Sequence, residues 1–301
     1  MASIASILKI SKDKTDDKIL GEINDKKVDD KLDPLDTKEE TFLKKDLPDD
    51  DSFNEQFLQY KTILIKTLEM FKNRNKKYNY KDYYEFLFTL KTGKEFKNFI
   101  LSPKNQNPVR NILDELIFLN KTTLKSTSQY FSIFYFEMSF LIQNQDQSNT
   151  LVFFVPKFGS TSQISLSIVR TILACIYYLV SMKIEINEII FVHKNSFQNE
   201  GKSLLFGLKK NYYLQFFNEI ELINPTIFHS LNSSFYVFSK KEEEEFFKKN
   251  PLIQKKNMSK IFHTDPNVRY MGLKKGDVVA IKRKNFIASL GGVNYSFKVI
   301  W

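Results

Sequence analysis

Residues 261–284 read IFHTDPNVRYMGLKKGDVVAIKRK, and this stretch decides how the carboxy-terminal part of the chain folds. Thr264-Asp265-Pro266 predicts the start of a helix. Thr264 or Asp265 can accept from the free amides of a first turn, and Pro266 suits the first helical position because its missing N–H needs no partner there. Asn267–Met271 supplies a turn of helix, and Gly272 ends it where a positive φ costs little. Lys274-Lys275-Gly276-Asp277 predicts a turn with Gly276 at the position that needs φ > 0. Val278–Ile281 then predicts a strand and Gly291-Gly292 a hairpin tip. Val293–Val299 is the returning strand, with Tyr295 and Phe297 on one face and Ser296 and Lys298 on the other.

Upstream, Phe235–Phe238 predicts another strand. Ser239-Lys-Lys-Glu242 is a capping box, in which the serine hydroxyl and the glutamate satisfy each other's backbone amides. The helix behind it carries Glu242–Glu245 at the favourable end of the dipole and Lys248 and Lys249 further along, so the acidic run reads as a cap and a solvated face. Leu204–Phe217 predicts a helix with Lys209 and Lys210 on one side, and Glu219–Ile223 a short strand.

Leu151–Val155 and Glu188–His193 predict strands, with Gln163–Met182 between them long enough for a helix that Ser160 or Thr161 could cap. Strand–helix–strand order favours a parallel pair with the helix as crossover. Ile164–Met182 holds 19 residues and one charge, Arg170. A central Arg would cost roughly 2.5–3.5 kcal/mol on membrane insertion, and Gln163, Ser167, Arg170, Tyr178 and Ser181 form one stripe. A buried helix of a soluble sheet is expected. Further back, Tyr130–Ile142 is expected as a strand. Phe57, Tyr60, Ile63, Leu64, Leu68 and Phe71 mark an amphipathic helix, Tyr78–Leu101 reads as partly helical, and Pro108 opens a helix with Val109, Ile112, Leu113 and Ile117.

The chain has 301 residues, 42% apolar and 15% aromatic, enough for two domains with real cores. One cysteine, Cys175, excludes a disulfide scaffold and thiolate-rich zinc sites, and it reads as core. Histidines 193, 229 and 263 show no ligand spacing. No P-loop or dinucleotide fingerprint is present, so no cofactor, metal or small-molecule substrate is expected. No signal peptide is visible, which favours an intracellular protein. Residues 1–51 hold 10 Lys and 15 Asp or Glu and a single aromatic, Phe42, and are expected to be a disordered tail of net −5. The rest is +15, a charge that draws polyanions, nucleic acid above all.

The 261–284 stretch resembles the fifth shared subunit of eukaryotic RNA polymerases and its counterpart in the archaeal enzyme. The family pattern is Asp-Pro, a short spacer, Arg-Tyr, Gly-Leu-Lys-Arg-Gly, valine-like residues and a basic pair. Asp265, Pro266, Arg269, Tyr270, Gly272, Leu273, Lys274, Lys275, Gly276, Val278, Val279, Lys282 and Arg283 occupy those positions, with Lys275 for the usual Arg. Ser239–Asn250 looks like the family's preceding charged helix, and 150–238 shows weaker likeness.

The resemblance implies an α/β jaw domain at 52–227, its sheet and flanking helices similar to restriction endonucleases. A small α+β assembly domain at 228–301 would follow. It implies a non-catalytic subunit that docks on the largest polymerase subunit, within the polymerase core, through Asp265, Pro266, Arg269, Tyr270, Gly272, Leu273, Lys275, Gly276, Val278, Val279, Lys282 and Arg283. The jaw would border downstream duplex DNA. The family's proline-bearing jaw loop reads here Ser196–Lys202 without Pro, which leaves Lys202, with Lys209 and Lys210, as the DNA-contact candidates. The loop after Arg283 is longer than usual by about three residues, and Lys298 stands where Arg is usual. The lysine-rich, Asn-, Ile- and Phe-rich composition fits an AT-rich genome and favours a viral enzyme, in the host cytoplasm or virion, over a nuclear one.

Two rivals remain. A nuclease on the jaw fold would need clustered carboxylates, and Val155-Pro156-Lys157 lacks the Glu two residues before the Lys. Gly-Leu-Lys-Lys-Gly-Asp-Val-Val also resembles the turn-and-strand signature of small RNA-binding barrels. The fixed spacing to Asp265-Pro266 and Arg269-Tyr270 favours the polymerase family.

Overall fold

The structure, a computed structural model, describes residues 51–74, 81–102, 108–119, 127–143, 148–156, 163–229, 233–284 and 293–301. The expected tail up to residue 50, the caps at Ser160 and Thr161, Lys157 and the loop with Gly291-Gly292 lie outside them, while Asp51, expected as the tail's last residue, opens the first helix.

Helix α1 (Asp51–Asn73) buries the stripe read from the sequence: Phe57, Ile63, Leu64, Leu68 and Phe71. The partly helical segment resolves into α2 (Lys81–Thr89) and α3 (Gly93–Leu101). The start of α3 is fixed by a Thr92/Glu95 capping box. Pro108 opens α4 (Pro108–Leu119) as its spacing predicts.

The segment expected as a strand from Tyr130 is instead helix α5 (Thr127–Glu137), and strand β1 (Phe140–Gln143) follows it. Tyr130, Ile133, Phe134, Tyr135 and Phe136 are all buried. A helix covered on several sides has no polar stripe to mark its period, so its aromatic run imitates a buried strand. Its rings meet α1, with Phe57–Phe134 and Tyr60–Tyr135 centroids 4.9 Å apart.

Strand β2 (Asn149–Val155), helix α6 (Leu166–Ser181) and β3 (Ile186–His193) form the expected crossover, with β2 and β3 parallel. In α6 the residues Ser167, Arg170 and Ser181 are exposed while Ile168, Val169, Ile172, Cys175, Ile176 and Leu179 are buried. Among the described residues no helix is long and apolar enough to cross a membrane.

The predicted helix 204–217 is a second correction. Helix α7 (Asn199–Gly207) stops early, and β4 (Tyr213–Asn218) joins β3 in parallel. Phe216 packs against the core on one face of this sheet while Phe217 is buried in the core on the other. A strand with apolar residues on both faces loses the clean alternation of a half-buried one, and Leu214, Phe216 and Phe217 coincided with helical spacing. Glu219–Ile223 is not a strand but the short helix α8, held by an Asn218/Glu221 capping box. The first sheet has the order β1-β2-β3-β4, with β1 antiparallel to β2.

The second sheet contains β5 (Ser234–Val237), β6 (Ser259–Ile261), β7 (Val278–Lys284) and β8 (Val293–Ile300) in the order β5-β7-β8-β6. Helices α9 (Lys240–Lys249) and α10 (Pro266–Tyr270) belong to this part. Val279, Ile281 and Ile300 pack with Val268 and Leu273 on one face, and Val278 and Val299 pack with Met258 and Phe247 on the other. β5 and β6 stand at the two ends of the strand order, so the described sheet is open, unlike the closed barrel of the second rival. Both parts of the chain are therefore mixtures of helix and sheet.

Candidate assembly unit and its junction

The motif stretch folds as its residues predict. Asp265, rather than Thr264, caps α10: its Oδ1 accepts from the Asn267 amide at 2.9 Å and the Val268 amide at 3.4 Å, with Pro266 in the first turn. That answers the carboxylate's role without any metal chemistry. Gly272 has φ +65° and Gly276 φ +93°, the two left-handed positions the turns require. Asp277 closes the second turn, its Oδ2 accepting from the Lys274 amide at 2.7 Å. The Gly276 amide donates to the Ile300 carbonyl at 2.8 Å, and the Ile300 amide to the Asp277 carbonyl at 2.9 Å, which welds the turn to β8. In the preceding helix, Ser239 and Glu242 form the predicted box.

The twelve residues read as an assembly interface divide sharply. Tyr270, Leu273, Val278 and Val279 are buried within the chain, and Asp265, Gly272 and Gly276 build turns and caps. Lys275, Lys282 and Arg283 point to solvent, as does Pro266. Around Lys282 the outer face of the second sheet also exposes aromatics: Tyr236 and Tyr295 are more than half exposed and Phe297 over a third. Tyr236, Ala280 and Phe297 are register partners in adjacent strands, and Lys282 pairs with Tyr295. The Lys282 ammonium lies 5.9 Å from the Tyr295 ring centre.

Arg269 and Tyr270 face inward, toward the first sheet. Arg269 Nη2 donates to Glu221 Oε1 at 2.8 Å, and Nη1 donates to the Phe216 carbonyl on β4. The Tyr270 ring joins the core that contains Phe71 and Phe217, and burial pushes its phenol up to about 12. Tyr213 Oη donates to the Leu273 carbonyl at 3.1 Å.

Sequence reading missed the residue that meets this surface from the other side. Arg74, just after α1, is 5% exposed. Its Nη1 donates to Glu188 Oε1 at 2.8 Å, and its Nη2 to the Gln215 side chain and, at 3.1 Å, to the Arg269 carbonyl. Its Nε donates to the Tyr270 carbonyl at 3.1 Å. The scarcity of arginine is the signal that could have found it: five Arg stand among 45 basic residues. A planar fork is what a buried multidentate site needs and a lysine cannot supply.

The DNA-contact candidates lie on the first unit. Lys202 is exposed on α7, and Lys209 and Lys210 are exposed just beyond it. The Lys202 and Lys209 ammonium groups sit 5.7 Å and 4.2 Å from the Phe206 ring centre, so one aromatic holds two cations over a short stretch of surface.

Residues 226–295 match the family described as RNA polymerase Rpb5, C-terminal domain. The carboxy-terminal unit is similar to this Rpb5 family. The match contains β5, α9, β6, α10 and β7 and the start of β8. The DNA-directed RNA polymerase subunit 5-like protein 1 of Arabidopsis thaliana is 33% identical to this chain over 92 residues. That stretch is 31% of this chain and 43% of the relative, so the chain aligns with less than half the length of that protein. The Rpb5-type unit is thus the part of the chain that the comparisons match, and the motif that defines it is the one that carries Arg269, Tyr270 and Gly272.

Proposed function

We propose that the protein is a non-catalytic subunit of a multisubunit DNA-directed RNA polymerase. The observation that carries this is the Rpb5 match over 226–295, with the Asp-Pro, Arg-Tyr and Gly-Leu-Lys-Lys-Gly elements in fixed register. In this reading residues 228–301 are the assembly domain, which docks on the largest subunit. The exposed aromatic face of Tyr236, Tyr295 and Phe297, with Lys282 beside it, has the mixture expected of a docking surface: aromatic anchors with a charged rim. Arg283, next in β7, projects from the opposite face of the sheet, and Lys275 lies in the turn before β7.

Residues 52–227 then form the jaw, of restriction-endonuclease-like type, and border downstream duplex DNA. The net +15 of residues 52–301 supports this, as do Lys202, Lys209 and Lys210 on the surface. Such contacts go to phosphates and position the duplex without reading its sequence. The composition favours a viral polymerase in host cytoplasm or virion, and a cellular one would place the protein in the nucleus.

The test is affinity capture of the tagged full chain from its native host at about 0.5 M salt, which weakens phosphate-mediated bridging. The two largest polymerase subunits should remain bound and should be lost when residues 258–301 are removed. RNA at low salt with no polymerase subunit would overturn the reading.

A further inference from the structure

We propose that residues 269–273 form a socket for Arg74, and that this latch makes the two sheets of the chain one rigid body. Residues 224–233 join α8 to β5, and units joined by a modest polar contact reorient by default. What crosses the junction is not modest. Arg74 and Tyr270 are 196 positions apart in sequence. Yet one guanidinium binds the carbonyls of Arg269 and Tyr270 on one side and Glu188 and Gln215, from β3 and β4, on the other. It thereby ties α1, the first sheet and α10 together.

Three features of the socket look built for this occupant. Gly272 is required twice: its φ is +65°, and a Cβ there would stand 3.0 Å from Arg74 Cδ and Nε. Any side chain would press on the guanidinium. The two carbonyls that receive Arg74 belong to the last residues of α10, the end of a helix where acceptors are left over and a cation is favoured. Finally, the bonding is reciprocal. Arg269 returns across the same junction to Glu221 and the Phe216 carbonyl, Gln215 Nε2 donates to the Arg269 carbonyl at 3.3 Å, and the Tyr213 hydroxyl reaches the Leu273 carbonyl. The Arg-Tyr and Gly-Leu positions of the motif are thus spent on an internal contact and not on the outer face. If the chain works within a polymerase, the latch fixes the spacing between its docking face and Lys202, Lys209 and Lys210. That consequence rests on the reading above, while the latch does not.

The experiment uses the purified full chain with spin labels at K210C and K275C, two exposed positions in the two units; native Cys175 is fully buried and stays unlabelled. Pulsed electron resonance should give one narrow distance distribution for the doubly labelled protein and a broad one after Arg74→Met, with far-ultraviolet dichroism unchanged. A narrow distribution in folded Arg74→Met, or a broad one in the parent, overturns the latch. If Arg74→Met does not fold, Gly272→Ala, which leaves Glu188 and Arg74 in place, decides: broadening supports the socket and an unchanged distribution refutes it. Because the measurement needs no polymerase, failure of the capture experiment leaves its outcome intact.

Discussion

Arg74 Nη1 and Glu188 Oε1 lie 2.8 Å apart, with side chains only 2% and 5% exposed. A buried pair of this kind is bound by what would happen if either member were lost. Glu188 also accepts from Thr150 Oγ1 at 3.2 Å, so its charge is held from two directions. Removing one partner strands the other in low dielectric, at a cost of about 3–5 kcal/mol. Glu188→Leu alone should therefore lower the unfolding free energy by about that amount. Adding Arg74→Met should restore part of it, with a coupling energy of at least about 1 kcal/mol. Urea unfolding of the two single variants and the double variant measures this, and additive losses would refute the coupling.

The two left-handed glycines separate backbone strain from crowding. Around Gly276 no atom lies within 4 Å of an added Cβ, so Gly276→Ala carries the left-handed penalty alone, about 1–2 kcal/mol. Gly272→Ala carries the same penalty and also crowds Arg74, whose Cδ and Nε would lie 3.0 Å from the added Cβ. It should be clearly the more destabilising of the two by urea midpoint at unchanged slope. Equal losses would mean that the Arg74 side chain yields without cost.

What was legible in the sequence follows from how local each signal is. Asp265, Pro266, Gly272, Gly276 and the Ser239/Glu242 box act on amides a few residues away, and all took the roles their spacing predicts. Asn218-Glu-Ile-Glu221 and Thr92-Gly-Lys-Glu95 carry the same box signature, so α8 and α3 were readable too. Segments covered on several sides were not readable. Phe131–Phe136 in α5 and Leu214–Phe217 in β4 are apolar but for one residue each, Ser132 and Gln215, too little to set a period, and only their surroundings choose helix or strand. Least readable was Arg74, whose partners Glu188, Gln215 and Tyr270 come together only through the complete fold.

Glu219 gives a pH prediction. It is 7% exposed at the start of α8, and burial pushes its carboxyl above the ordinary 4.5, against smaller downward pulls from the Tyr135 hydroxyl and Lys194. The folded chain then binds this proton more tightly than the unfolded chain. Between 4.5 and the raised folded value the native state holds more protons, so stability falls as pH rises through that window. Glu219→Gln should remove this contribution. The stability difference between the variant and the parent, followed by urea midpoint upward from pH 4, should move in the variant's favour. A difference that stays flat across the window would show that the carboxyl is not penalised.

The lysines on and beyond α7 predict how DNA binding responds to salt. Each phosphate neutralised by a lysine releases condensed counterions, so the logarithm of the binding constant falls against the logarithm of salt with a slope of about −0.9 per contact on duplex DNA. Lys202, Lys209 and Lys210 are exposed, and two of them are held by the Phe206 ring. If all three meet phosphates, changing them together to Gln should make the slope shallower by about 2.7. The loss should be the same on unrelated duplex sequences, since phosphates carry no sequence information. Lys248 and Lys249, exposed at the end of α9 in the other unit, provide the control: their replacement by Gln should leave the slope of the full chain unchanged. Fluorescence anisotropy with a labelled duplex across a salt series reads both. An unaltered slope in the triple variant would remove the duplex from this face, and an equal change in the control would show that net charge alone, with no defined contact, draws the protein to DNA.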